Sequence, residues 1–143
     1  MTVAAILAQK GRNVITVARE TAIADVVHLL AEKRIGAVVV VDEFQRIVGI
    51  VSERDIVRML AGAGSAGLGA DAGSIMTAKV VTCSDLDTVN EVMQRMTDGR
   101  FRHLPVVKDD RVTGIISIGD VVKARIQQVE REAEELRAYI TLA

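Results

Sequence analysis

The sequence contains the same unit twice, and this repeat restricts the fold more than any other feature of the chain. Residues 14–42, VITVARETAIADVVHLLAEKRIGAVVVVD, align with residues 80–108, VVTCSDLDTVNEVMQRMTDGRFRHLPVVK, at an offset of 66. After a one-residue deletion, residues 46–58 (RIVGIVSERDIVR) align with residues 111–123 (RVTGIISIGDVVK) at an offset of 65. The deletion lies where a turn between two strands is expected, so the two copies predict the same fold.

Each copy has the hydrophobic pattern of a β-α-β-β-α unit. A short β segment, residues 14–17 or 80–83, precedes a helix whose apolar residues recur at positions i, i+3, i+4 and i+7. A buried strand, a polar turn, a second strand and a second helix follow in both copies. Because a unit of about 50 residues buries little surface by itself, we expect an α/β (α+β) fold in which the two units pack through their sheets with pseudo-two-fold symmetry. The apolar helix residues are Ile23, Val26, Val27 and Leu30 in the first copy and Val89, Val92, Met93 and Met96 in the second.

The composition between and after the copies sets the expected domain boundaries. Residues 61–74 contain five glycines and have no apolar periodicity, which indicates a flexible spacer. Gly62, Gly64 and Gly67 match the pattern GxGxxG, but the segment before them has a helical pattern instead of a strand, so we interpret them as part of the spacer. The expected parts are unit 1 (1–61), a glycine-rich linker (62–73), unit 2 (74–128) and an extended C-terminal helix (129–143).

Two positions make specific predictions about local structure. Thr88 followed by Glu91 predicts a capping box at the start of the first helix of unit 2. Pro105 has no N–H to donate, so the strand that contains it is predicted to lie at a sheet edge or to carry a bulge there.

The chain from Val121 onward is predicted to be one helix with a coiled-coil-like seam. Apolar residues alternate at spacings of four and three, and the other faces are charged. The seam either covers its own domain or forms a dimer or partner interface; we favour the interface, because this helix extends well beyond its counterpart in unit 1. The seam residues are Val122, Ile126, Val129, Ala133, Leu136 and Ile140.

The composition excludes several classes of partner. Lys and Arg number 18 and Asp and Glu number 19, so the net charge of −1 indicates neither a nucleic-acid surface nor a polybasic membrane anchor. One cysteine and two histidines provide neither a disulfide framework nor a zinc site. No apolar run approaches the roughly 18 residues that span a bilayer. We therefore expect a cytoplasmic protein without nucleic-acid or membrane partners.

The residues that could bind a ligand lie in a motif present in both copies, GIVSERD at 49–55 and GIISIGD at 114–120. In each, the glycine ends a strand and the serine starts a helix, where free backbone N–H groups attract phosphate. An aspartate one turn later can accept two hydrogen bonds from the cis hydroxyls of a ribose. The same spacing also describes a serine cap with an acidic residue in the first helical turn, so both interpretations stay open.

These motifs, together with GAVVVVD at 36–42, SIMT at 74–77 and RHLPVV at 102–107, resemble a tandem pair of cystathionine-β-synthase (CBS) domains, the Bateman module. The resemblance covers residues 2–128. It implies a non-enzymatic regulatory module that binds an adenosine-containing ligand (AMP, ADP, ATP, NAD or S-adenosylmethionine) in the cleft between the units. It also implies a homodimer that signals to an unidentified effector protein, without a catalytic cofactor or a metal.

The resemblance further implies two ligand sites. In the first, Asp120 would hold the ribose, Ser117 would lie near the phosphate, and Arg102 and His103 would face the phosphates. The adenine would contact Ile15, Ile35, Ala37 and Ile115.

In the second site, Asp55 and Ser52 take the same roles. We expect the first site to be the stronger one, because Glu53 would repel a phosphate at the second. The role of Lys10 is left open. The base would lie among Ile50, Val81, Phe101 and His103.

Two other functions compete with ligand sensing. In a ligand-independent dimerisation or assembly module, the Ser-x-x-Asp motifs would only cap helices and the C-terminal helix would make the contacts. An NAD-consuming oxidoreductase would rest on the GxGxxG match alone. No catalytic pair or activated nucleophile is evident, and Cys83 has no neighbouring base in the sequence, so we expect that the protein is not an enzyme.

Overall fold

The computed structural model describes residues 1–142 and contains two units that repeat the predicted order of elements. In unit 1, β1 pairs with β2 in parallel and β2 pairs with β3 antiparallel; in unit 2, β4 and β5 form an antiparallel pair. The strands are β1 (Thr16–Val17), β2 (Ala37–Val41), β3 (Ile47–Ser52), β4 (His103–Lys108) and β5 (Arg111–Ser117). The helices are α1 (Val3–Lys10), α2 (Ile23–Lys33), α3 (Glu53–Ala63), α4 (Ala72–Ile75), α5 (Val89–Gly99) and α6 (Ile118–Leu142).

The mixed α/β repeat is confirmed, with one difference between the units. The β segment predicted at 80–83 is reduced to a single parallel bridge between Cys83 and Val106. Cys83 donates to the carbonyl oxygen of Pro105 at 3.0 Å and accepts from the N–H of Val107 at 2.9 Å. In unit 2, Cys83 therefore makes the parallel contact with β4 that β1 makes with β2 in unit 1, but the contact is one residue long.

Both hairpins carry a bulge at the same place. The register shifts between Val40 and Val41 in unit 1 and between Val106 and Val107 in unit 2. The bulge predicted near Pro105 is therefore present, but Val39 occupies the equivalent position in unit 1, so the proline is not its cause. Strand β4 pairs with β5 in a two-stranded sheet, and its other edge makes one isolated bridge, in which the carbonyl oxygen of Pro105 accepts the N–H of Cys83.

The segments that precede the two units are exchanged between the two cores. Val3, Ile6 and Leu7 of α1 are buried in the core of unit 2, whereas Ala72 of α4 is buried in the core of unit 1. Neither of the sequence ranges 1–61 and 74–128 therefore contains a complete core.

The glycines of the repeated motif allow this exchange. A Cβ atom at Gly114 would lie 2.9 Å from Leu7 Cδ1, and one at Gly49 would lie 2.4 Å from Met76 Sδ. Leu7 and Met76 therefore occupy equivalent places, and the repeat extends to residues 2–10 and 71–79 at an offset of 69. Few residues are identical between these two segments, so the sequence gives little sign of this part of the repeat.

The glycine-rich segment, which the composition predicts to be a flexible spacer, is largely helical. Gly64–Gly69 forms a 3₁₀ helix directly after α3, and α4 follows at Ala72. Ile23 donates to the carbonyl oxygen of Ala70 at 2.9 Å, and Ala72 donates to that of Thr21 at 2.8 Å. These bonds join the segment to the start of α2, a long-range contact that no local periodicity indicates.

Helix α6 confirms the predicted C-terminal helix as far as Leu142, and the last residue of the expected extension, 143, lies outside the described residues. Val121 and Ala124 pack into the core of unit 2. The large apolar residues of the seam are between 48% and 65% exposed, so the seam does not cover its own domain. None of the helices within residues 1–142 is both long enough and apolar enough to cross a membrane.

The capping box predicted at the start of α5 is only half formed. The hydroxyl of Thr88 accepts the N–H of Glu91 at 3.2 Å, but within residues 1–142 the Glu91 side chain makes no return bond to the N–H of Thr88.

Candidate functional site

A cavity of about 480 Å³ lies between the units, beside the start of α3. Its volume is within the range of small-molecule sites in proteins. All six residues predicted for the second site line it, including His103, which the resemblance placed at both sites, and so does Arg102, which it assigned to the first. The six are Ile50, Ser52, Asp55, Val81, Phe101 and His103.

Ser52 and Asp55 form a reciprocal helix cap at the edge of this cavity. Asp55 Oδ2 accepts from the N–H of Ser52 at 2.8 Å and from its hydroxyl at 3.1 Å, and the N–H of Asp55 points to Ser52 Oγ at 3.4 Å. The structure shows the cap that the spacing allowed. It leaves Oδ1 of Asp55 without a hydrogen bond to any of residues 1–142, so capping does not exclude ligand binding.

Fewer backbone N–H groups are free to bind a phosphate at the start of α3 than the sequence predicted. Glu53 donates its N–H to the carbonyl oxygen of Gly36 at 2.9 Å, and the N–H of Asp55 is directed to Ser52. Within the described chain, only the N–H of Arg54 has no partner among these first three helical residues. Side-chain cations must therefore supply most of the attraction for an anion.

Five basic and two acidic side chains line the cavity. Arg54 also donates to the carbonyl oxygen of Arg100 at 3.1 Å, which joins α3 of unit 1 to the end of α5 in unit 2. Arg58 and Lys79 are not among the residues predicted for either site, yet both line the cavity. Arg58 follows Arg54 by four residues, so it lies on the same helix face. The basic residues are Arg54, Arg58, Lys79, Arg100 and Arg102, and the acidic ones are Glu53 and Asp55.

His103, the first residue of β4, lines the cavity from unit 2. A Cβ atom at Gly36 would lie 2.9 Å from its Cε1 atom, so the glycine makes room for the ring. Burial lowers the pKa of His103, although the charge of Glu53 opposes the shift. Ala37 stands at the equivalent position in unit 1, so this ring has no counterpart across the pseudo-two-fold axis.

The carboxylate predicted for the first site already has a cationic partner. Lys10 Nζ donates to Asp120 Oδ2 at 2.6 Å and to the carbonyl oxygen of Ile115 at 2.8 Å. The same Oδ2 accepts from the N–H and the hydroxyl of Ser117, each at 2.9 Å. Burial raises the pKa of Asp120, but the hydrogen bonds from Lys10 and Ser117 outweigh burial and hold it below its usual value.

Little space surrounds Asp120. The cavity beside it measures about 70 Å³, and Asp120 is the one predicted first-site residue that lines it. Ile15 and Ile35 instead pack against the core of unit 1, and Ala37 is buried. The structure thus brings the second predicted set of residues together around a cavity and does not do so for the first.

The family comparison matches the CBS domain twice in this chain, over residues 7–62 and 72–127. The chain is also similar to the mitochondrial CBS domain-containing protein CBSX3 of Arabidopsis thaliana, with 40% identity over 120 residues. That match covers 81% of this chain and 58% of the plant protein, so the chain spans a little over half of its relative.

Two solved structures are similar over nearly the whole module. The CBS-domain protein ATU1752 of Agrobacterium tumefaciens is 46% identical, with a TM-score of 0.85 over 87% of this chain and 99% of that one. The CBS domain pair of protein MJ0100, in complex with 5′-methylthioadenosine and S-adenosyl-L-methionine, is 27% identical. Its TM-score is 0.80 over 90% of this chain and 98% of that one.

Proposed function

The chain belongs to the CBS-domain family, and from that premise we propose that it is a regulatory module that binds an adenine nucleotide in the cavity beside Ser52 and Asp55. The observation that carries the proposal is that Oδ1 of Asp55, which has no hydrogen-bond partner within residues 1–142, lies at the edge of a cavity of about 480 Å³ with a positive lining. A carboxylate accepts both hydrogen bonds of a ribose diol, and cations bind the phosphates. The sequence led us to expect stronger binding at the site of Ser117 and Asp120, whereas this proposal places the ligand at the site of Ser52 and Asp55.

The apolar part of the lining suits the purine. Ile50 comes from β3 of unit 1, whereas Val81 and Phe101 come from unit 2. A base between them would remove apolar surface of both units from water, which stabilises the complex by about 25 cal/mol for each Å² buried. Binding would therefore join the two units.

The charges favour a ligand with phosphates over S-adenosylmethionine. That compound carries a positive sulfonium, a positive amino group and one carboxylate, so its net charge is positive and five basic side chains would attract it less than a phosphate. AMP, ADP, ATP and NAD carry negative phosphates that the same side chains attract. The ligands seen with MJ0100 therefore support an adenosine site but not the identity of the group attached to the adenosine.

One ligand binds to each chain in this proposal. The Asp120 carboxylate is held by Lys10, and the cavity beside it is too small for a nucleoside. Lys10 thus acts as an internal substitute for a ligand at the first site.

The expected role is regulatory, as it generally is for CBS pairs, and does not include catalysis. Burial raises the pKa of Cys83 to about 12, which keeps that thiol protonated and unreactive. A ligand shifts the relative position of the units only by the difference between its affinities for the two arrangements. A partner protein would then bind one arrangement better than the other.

Titration with adenosine, AMP, ADP, ATP, NAD and S-adenosylmethionine tests the proposal by calorimetry and thermal unfolding. At 100 times its dissociation constant, the preferred nucleotide should stabilise the fold by about 2.7 kcal/mol. Absence of binding by every compound would leave the ligand-independent assembly module, which the exposed seam of α6 supports, as the better function.

A further inference from the structure

The apolar seam of α6 has no partner within the described chain. At about 100° per residue, its residues centre roughly 130° around the helix from Val121 and Ala124, the two positions buried in unit 2. The seam therefore points away from the domain that α6 belongs to. The α6 seam consists of Val122, Ile126, Val129, Ala133, Leu136 and Ile140.

The spacing of the α6 seam assigns each residue a place in a heptad. Ile126, Ala133 and Ile140 occupy a positions, and Val122, Val129 and Leu136 occupy d positions. The seam has no polar residue, so hydrophobic burial against an equivalent stripe is the contact that it can make.

The charges beside the α6 seam specify a partner of the same sequence. In a parallel pair, each g residue lies near the e residue five positions later on the other helix. Arg125 at g would meet Glu130 of the second copy, and Glu132 at g would meet Arg137 of the second copy. Both pairs are of opposite charge, and two-fold symmetry produces each of them twice.

The antiparallel alternative places like charges together. An antiparallel alignment that sets Ile126 opposite Leu136 brings the Glu130 side chains of the two copies close together. It does the same for the two Glu132 side chains. In the described part of the chain, none of Arg125, Glu130, Glu132 and Arg137 takes part in an ion pair. These four side chains are available for contacts with a second copy.

We infer that the α6 seam binds a second copy of this chain as a parallel, in-register, two-stranded coiled coil. The charge pairs set the orientation, and the apolar stripe supplies the affinity. This inference does not depend on nucleotide binding, because none of the seam residues lines either of the two cavities in the described chain.

A charge exchange between positions 132 and 137 tests the inference by sedimentation equilibrium. Glu132→Arg alone and Arg137→Glu alone should each weaken dimerisation about tenfold, because each turns two attractive pairs into repulsive ones. The double variant should restore the original dissociation constant. Circular dichroism of each variant checks that α6 stays helical.

A cysteine at Leu136 tests the orientation independently. In the parallel pair, Leu136→Cys faces its own copy and should form an intermolecular disulfide under mild oxidation. Leu86→Cys, at a position that is 87% exposed but lies outside the seam, is the control and should stay reduced. Cys83 is buried and does not interfere.

Three results would overturn the inference. The first is a monomer at tens of micromolar concentration. The second is a dimer whose dissociation constant is unchanged by Glu132→Arg and by Arg137→Glu. The third is a Leu136→Cys variant that cross-links only when Ile126→Cys is also present. The last result would identify an antiparallel pair.

Discussion

The two units carry the same Ser-x-x-Asp cap, yet only one of the two carboxylates borders a cavity that fits a nucleoside. Asp55 lies beside about 480 Å³ of space, whereas Asp120 is bound by Lys10 beside about 70 Å³. The capping bonds have nearly the same lengths in both units. A duplicated motif therefore does not by itself make a duplicated site.

The difference comes from the segment that precedes each unit. Lys10 and Lys79 are equivalent, since each lies three residues after the side chain that covers the motif glycine. Helix α1 stays helical to Lys10, but α4 ends at Ile75 and the backbone becomes extended at Met76. In the part of the chain that the structure describes, Lys79 makes no ion pair, although it lines the large cavity.

Replacement of Asp55 should produce the largest difference in ADP affinity between the two sites. Asp55→Asn keeps a capping side chain but removes the charge that would hold the ribose, so ADP affinity should fall by at least about 30-fold. Asp120→Asn is the matched control and should leave affinity within about threefold. Calorimetry measures both, and thermal unfolding verifies that they fold. An equal loss in the two variants would show that the sites are equivalent.

Removal of the lysine should make the two sites more alike. Lys10→Ala frees Asp120 and the space of the side chain, so calorimetric stoichiometry should rise from one ADP per chain to two, with the added site weaker. Lys79→Ala should keep the stoichiometry at one and weaken ADP severalfold while adenosine binding is unchanged. If Lys10→Ala still binds a single ADP, Lys10 does not close the first site.

His103 should make ADP binding depend on pH. Burial lowers the pKa of this residue, and a nearby phosphate would favour its protonated form. Affinity should therefore rise as pH falls from 8 to 6, by a few-fold. His103→Gln should remove the part of this rise that exceeds the titration of the phosphate itself; an unchanged pH profile would place His103 away from the phosphate. The charged groups that act on the ring are Glu53, Lys10, Asp120 and Arg102.

The smallest expected effect concerns acid stability. The pKa of Asp120 is lower in the folded chain than its usual value, so the unfolded state binds more protons in acid. The stabilisation is present above the usual carboxyl pKa and is lost as pH falls through the folded value, by about 1 kcal/mol or less. Thermal unfolding at pH 5 and pH 3 should show a smaller loss for Lys10→Met than for the natural chain. An identical loss would mean that Lys10 does not stabilise the charged carboxylate.

Much of the fold could be predicted because it depends on local patterns. The apolar spacing of α2 and α5 and the start of α3 at Ser52 agree with the structure. The glycine-rich segment could not be predicted in this way, since Ala70 is held by a bond to Ile23, far from it in sequence. The exchange of α1 and α4 between the cores is likewise a long-range contact.

The sequence by itself determined that the chain folds as two similar units, that each begins a helix at a serine followed three residues later by an aspartate, and that a long helix follows. Hydrophobic periodicity and capping act over a few residues, so one sequence suffices to identify them. Only the tertiary structure decided which aspartate borders a large cavity. Lys10 reaches Asp120 across 110 residues of chain, and that contact depends on the path of the backbone rather than on the motif.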